Sequence, residues 1–316
     1  MTKNRPDGAG KGFLAMRKNL VKGSIVALVT PFRDGAVDYE TLEKLIEWHL
    51  QEGTDGILVA GTTGEAATWS AQEYEKTVRF VIGRVKGRTH VMAGCGTQAT
   101  ATAIERAKAV RDWGADSLLV VTPYYNKPTQ DGLLAHFEAV ARAVEDAPVV
   151  LYNVPGRTGV NLLPETVLEL QKIPNIAGLK DACGNLSQTQ WVLRSARPDF
   201  CVYSGEDKLT VPLALLGAAG VISVVANVVP RLFAEMTHAA LDGQISKARE
   251  LAHLLLPISE GLFWETSPAP AKACMQMLGL LPSEELRLLL VPVKPATRER
   301  LRGVLADLGL KPSAGM

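Results

Sequence analysis

From Gly23 onward the chain alternates short apolar runs with longer amphipathic stretches. The runs are Ile25–Val29, Gly56–Ala60, His90–Cys95, Ser117–Val121, Val149–Asn153, Ile176–Lys180, Cys201–Ser204 and Val221–Val224. Each is too short for a buried helix and is bounded by turn residues, which predicts strands. Most are separated from the next by a helix-length segment rich in Ala, Leu, Glu and Arg, beginning with Tyr39–Gln51. Strands that are apolar on both faces and joined by helical crossovers pair in parallel, and about eight such units close into a (β/α)₈ TIM barrel. An open doubly wound sheet is the alternative. After Val229-Pro230 the pattern becomes helix upon helix, at Arg231–Leu241, Ile245–Phe263, Pro268–Leu278 and Ala296–Leu308. The expected organisation is α/β: a flexible N-terminal tail (1–21), a (β/α)₈ barrel (22–243) and a C-terminal helical extension (244–316). The tail mixes Gly, Pro and charge without a sustained period. It is too short and too broken for a transit peptide, and Met16 offers a second translation start.

Charge changes this picture by exclusion. The 34 Lys and Arg against 33 Asp and Glu are scattered, so nothing asks for nucleic acid or an anionic membrane, and the expected partner is a small molecule. The four cysteines, Cys95, Cys183, Cys201 and Cys274, lie far apart without metal-ligand spacing, so neither a disulfide framework nor a zinc site is expected. With no membrane-spanning run and no signal-peptide core, the reading is a cytoplasmic protein.

The chemistry of a parallel barrel lies at the carboxyl ends of its strands. There, the run Ile176-Ala177-Gly178-Leu179 leads straight into Lys180. Desolvation at such a place disfavours an ammonium and frees an amine to attack a ketone, making Lys180 a candidate Schiff-base nucleophile; the plain alternative is a solvated lysine opening a loop. The second run ends in Gly61-Thr62-Thr63-Gly64-Glu65, where two hydroxyls and glycine-exposed amides suit a carboxylate at the next helix's N-terminus, or simply form a turn. Tyr124 and Tyr125 follow the fourth run; Tyr152 lies at the end of the fifth and Arg157 follows it. A phenol near a Schiff-base carbon shuttles protons, and an arginine fork grips a carboxylate; packing tyrosines and a structural ion pair are the alternatives. Glycines near Gly205 and at Gly217 and Gly220 suggest phosphate, but no ribose-reading acid or P-loop lysine accompanies them.

Taken together and in order, GTTGE, TPYYNKP, YNVPGRTG, GLKDACGN, YSGEDKL and GVISVVANV resemble the dihydrodipicolinate synthases of the pyruvate-dependent class I aldolase superfamily, from about Gly23 to about Leu310. The resemblance implies that Lys180 forms the Schiff base with pyruvate and that Thr62 and Thr63 hold its carboxylate. It implies that Tyr152, Thr62 and Tyr125 form a proton relay, the last supplied by a neighbouring subunit. Arg157 would bind L-aspartate 4-semialdehyde, and Gly205 and Ile222 would line the pyruvate pocket. The implied enzyme is a lyase of the diaminopimelate route to lysine, with no cofactor and no metal, assembled as a homotetramer. The alternatives are another pyruvate-dependent aldolase, acting on a keto-deoxy sugar acid, N-acetylneuraminate or hydroxyoxoglutarate, and a non-catalytic pyruvate-binding barrel. Arg157 discriminates against the sugar-acid enzymes, which usually lack it. Asp181 stands where the family usually has glutamate, and Ser267–Lys272 departs from the family's Asn-Pro-Ile-Pro-Val-Lys. At the places where lysine-inhibited members carry histidines, an asparagine and a glutamate, this chain has Ala71, Tyr74, Gln98 and Thr102, which implies weak feedback by L-lysine.

Overall fold

The computed structural model describes residues 20–310. Most of the expected tail, and Met16, therefore lie outside the described residues. Eight strands form the core: β1 (Gly23–Ala27), β2 (Gly56–Val59), β3 (His90–Gly94), β4 (Ser117–Val121), β5 (Val149–Asn153), β6 (Ile176–Asp181), β7 (Cys201–Ser204) and β8 (Gly220–Ser223). They close into a barrel in the order β1-β8-β7-β6-β5-β4-β3-β2, as the run pattern predicts. The strands are buried almost throughout, which is what a parallel ladder covered on both faces requires.

The helices are α1 (Tyr39–Gln51), α2 (Ala71–Val85), α3 (Thr100–Asp112), α4 (Gln130–Arg142), α5 (Pro164–Leu170), α6 (Leu186–Ser195), α7 (Thr210–Leu215), α8 (Pro230–Leu241), α9 (Ile245–Gly261), α10 (Ala269–Met277) and α11 (Pro295–Asp307). In α1 the buried residues Leu42, Leu45, Ile46 and His49 recur at helical spacing, and the Asp38 side chain caps the first turn by accepting from Thr41 N. In α2 Ser70 and Glu73 make a reciprocal capping box.

Two compact units make up the described residues. The first, from Cys95 to Val202, holds β4, β5 and β6 with α3 to α6. Here β5 pairs with β4 at Val121↔Tyr152 and with β6 at Tyr152↔Lys180 and Asn153↔Asp181. The second unit, Lys22–Gly94 with the chain from Tyr203 onward, holds β1, β2, β3 and β8 with α1, α2 and α7 to α11. Within it β1 and β8 approach so closely that a Cβ on Gly220 would lie 2.0 Å from Gly23 O, which fixes glycine there, at φ +146°. Asn227 closes the same seam, accepting from Val29 N at 3.0 Å and donating to Ala27 O at 2.8 Å.

The differences from the sequence reading lie at strand ends. Leu28 and Val29 stay buried but leave the strand, whereas Gly23 joins it. Val224 turns into the helical region at φ −88°, ψ −39° instead of extending β8. A two-stranded hairpin, Phe32–Arg33 with Ala36–Val37, was not foreseen. Its signal was the Asp34-Gly35 pair, whose φ values of +54° and +77° suit a tight hairpin turn.

Candidate active site

In the first unit the β5/β6 register sets Tyr152 directly beside Lys180. Both are buried, at 7% and 6% exposure, and the Lys180 Nζ lies 4.4 Å from the centre of the Tyr152 ring. The amine and the phenol singled out from sequence are thus neighbours, because parallel pairing puts equivalent positions of adjacent strands side by side. The next pair in the register, Asn153 and Asp181, faces the opposite way along each strand. Asp181 Oδ1 accepts from Asn153 Nδ2 and from Cys183 N, each at 3.1 Å, and Oδ2 accepts from Thr189 Oγ1 at 2.8 Å. Burial pushes the Asp181 carboxyl above its usual range, against the pull of these donors. Asn153 also donates to Asn161 Oδ1 and accepts from Leu162 N, which ties the segment after β5 to the same cluster. The shorter acid at position 181 therefore anchors the strand from behind while Lys180 faces the other side.

Arg157 is exposed on a single helical turn, Pro155–Thr158, directly after β5. Gly159 ends that turn at φ +73°, and a Cβ there would meet the Lys127 stem at 3.0 Å. After β4, Tyr125 is 88% exposed at φ +76°, and Asn126 N donates to Tyr124 O across it. This left-handed backbone is unusual for a bulky residue and holds the phenol away from its own unit.

In the second unit, Thr62 is exposed and Thr63 buried in the turn after β2. Ala60 and Glu65, on either side of this turn, both have left-handed backbones, at φ +57° and +58°. The turn does not run into a helix N-terminus, as the sequence suggested. A 3₁₀ turn at Ala66–Thr68 intervenes, and α2 has its own Ser70 cap. Ile222 is buried on β8 opposite Ile25, and Gly205 is half-buried after β7. Between them, in chain order, stands a residue the sequence reading passed over. Asp207 is buried, accepts from Ser223 Oγ at 2.5 Å and from Val224 N at 3.2 Å, and burial pushes its carboxyl up to about 6.

All four cysteines are free thiols, and among the described residues no group of three His, Cys, Asp or Glu is placed to hold a metal ion. No described helix is long and apolar enough to cross a membrane.

The profile of the Dihydrodipicolinate synthetase family matches residues 20–308. The chain belongs to this family. Among its relatives in the family, the 4-hydroxy-tetrahydrodipicolinate synthase of Pelobacter propionicus is 48% identical over 291 residues, covering 92% of this chain and all of that one. The solved dihydrodipicolinate synthase of Aquifex aeolicus superimposes with a TM-score of 0.90 at 44% identity, covering 92% of this chain and 99% of that one. A chloride-inhibited dihydrodipicolinate synthase from Acinetobacter baumannii, solved with pyruvate, gives a TM-score of 0.90 at 44% identity, covering 92% of this chain and 100% of that one.

Proposed function

We propose that this protein is a 4-hydroxy-tetrahydrodipicolinate synthase, condensing pyruvate with L-aspartate 4-semialdehyde in the diaminopimelate route to lysine. The observation that carries the reading is the Lys180–Tyr152 pair, a buried amine 4.4 Å from a phenol ring at the carboxyl ends of adjacent strands. On this reading the Lys180 amine adds to the pyruvate ketone and water leaves as the imine forms. Tyr152, with Thr62 and with Tyr125 contributed by a neighbouring subunit, carries protons to and from the reacting atoms. Loss of a proton from the pyruvate methyl gives the enamine, whose carbon attacks the aldehyde. The amine of the adduct then displaces Lys180 and closes the ring, so the condensation releases one water overall.

Thr62 and Thr63 hold the pyruvate carboxylate, Gly205 and Ile222 line its pocket, and Arg157 takes the carboxylate of the semialdehyde through a charge-assisted fork. The exposed, left-handed Tyr125 supports a residue shared between subunits, and with it a homotetramer built as a dimer of dimers. On this reading 22–243 is the catalytic barrel and 244–316 the C-terminal helical extension. The site of action is the cytoplasm.

The test is reduction with borohydride in the presence of pyruvate, followed by peptide mass mapping. A reduced adduct on Lys180, lost in Lys180→Arg because a guanidinium stays protonated, is the expected result. An adduct elsewhere, or none, overturns the assignment. Condensation assayed with several aldehydes side by side separates the semialdehyde from sugar-type acceptors.

A further inference from the structure

The segment Ser267–Lys272 departs from the family at other positions but keeps its final lysine, which is wholly buried on α10. Its Nζ donates to Glu65 Oε1 at 2.5 Å and to Glu285 O at 2.8 Å, and lies 4.3 Å from the centre of the Phe32 ring. Glu65, also buried, is the last residue of the Gly61–Glu65 turn. Its second oxygen accepts from Arg287 N at 3.0 Å. The Arg287 guanidinium stacks on the same Phe32 ring at 4.5 Å, donates to Gly35 O at 2.7 Å and Thr68 O at 3.2 Å, and pairs with Glu73. Glu285 in turn accepts from Asp34 N and Gly35 N. One ionic cluster thus fastens the hairpin, the turn and the C-terminal extension to each other.

Such a cluster is a poor device for stability alone. A buried ion pair gains little over apolar side chains of the same volume, but it fixes geometry, because a buried charge tolerates only the arrangement that satisfies it. What it fixes here is a strained piece of backbone. Glu65 is left-handed without being glycine, a conformation that persists only where its surroundings hold it. Its N–H donates to Thr62 O at 3.0 Å, so the placement of Glu65 is transmitted to the two threonines in a single turn.

We infer that Lys272, acting through Glu65, is a positioning residue for the Thr62–Thr63 carboxylate site, so that the C-terminal extension sets the affinity for the keto acid. This rests on the pyruvate reading given above. Without the ammonium, Glu65 Oε1 loses its buried partner while Oε2 keeps only the Arg287 N–H, so the carboxylate is free to rotate and the turn is released.

The experiment measures the pyruvate concentration that gives half-maximal borohydride trapping, a readout that needs no second substrate. Lys272→Met keeps the length of the stem and removes the charge; the half-trapping concentration is expected to rise tenfold or more, with full trapping still reached at saturation. Glu65→Gln, which keeps the side-chain shape should Lys272→Met fold poorly, is expected to raise it at least threefold. Leu301→Ala, a core truncation on α11 at an apolar residue outside the ionic cluster, is expected to lower the melting temperature and leave the half-trapping concentration unchanged. Unchanged values in folded Lys272→Met and Glu65→Gln, or an equal rise in Leu301→Ala, overturn the inference. Failure of the unaltered protein to trap pyruvate overturns the pyruvate reading instead.

Discussion

Asp207 should make the stability of this protein depend on pH in a direction opposite to that of a salt-bridged acid. Burial raises its carboxyl from 3.8 to about 6, outweighing the Ser223 hydroxyl and the Val224 amide that favour the charged form. A displacement of roughly two units corresponds to about 3 kcal/mol between the protonation states. Because the native state holds this proton more tightly than the unfolded chain does, stability falls as pH rises from about 4 to about 6. The full cost of about 3 kcal/mol is present above that window and absent below it. Asp207→Asn removes the titration. The amide also turns a donor either towards Val224 N, or towards Ser223 Oγ, which then accepts from it and leaves its own buried hydroxyl proton without the carboxylate; that mismatch costs about 1–3 kcal/mol. The absolute effect at pH 8 is therefore a near balance, but the difference between the two proteins is not. Unfolding free energies from urea titrations between pH 4 and pH 8 should show the variant gaining about 3 kcal/mol on the parent across the window. A difference that stays flat with pH, or falls as pH rises, would refute the reasoning. Since Asp207 fixes Ser223 and Val224, just beyond Ile222, the neutral variant also reports whether the charge matters for keto-acid binding.

Two further outcomes test the substrate assignments. Arg157→Ala should raise KM for the semialdehyde about 30-fold, the equivalent of about 2 kcal/mol for a lost charge-assisted pair, while borohydride trapping of pyruvate at Lys180 is unaffected; equal damage to both substrates would mark the arginine as structural. The family resemblance sets Thr102, on α3, where lysine-inhibited members carry a glutamate; a neutral hydroxyl in place of that carboxylate is a deficit of about 1.5–3 kcal/mol, so L-lysine at submillimolar concentration should barely slow the condensation. In a dose-response at fixed substrates, half-inhibition below millimolar lysine would refute this, and Thr102→Glu should increase whatever sensitivity exists.

The repeat of buried runs and amphipathic stretches specified a parallel α/β fold, and the count of about eight units favoured a barrel over an open sheet, because a strand covered on both faces must be apolar at every position and a crossover helix on only one stripe. Lys180 stood out as a candidate because a charged residue ending an apolar run contradicts the pattern around it, but the pattern left a solvated loop lysine open and the family motifs were needed to choose. Strand ends were less legible. Whether Leu28 or Val224 continues a strand depends on partners such as Leu58 and Asp207, not on the residue's own apolarity. What only the tertiary structure decided are the pairings between distant charges. Glu65 and Lys272 stand 207 positions apart, and each alone reads as an ordinary solvated residue. Asp181 reads from sequence as a shortened neighbour of the candidate nucleophile, whereas the register turns it towards Thr189 and Asn153. Local sequence carries period and propensity, which act over a few residues. The cost of burying a charge is settled by whichever group the fold brings within 3 Å, and chain order does not encode that distance.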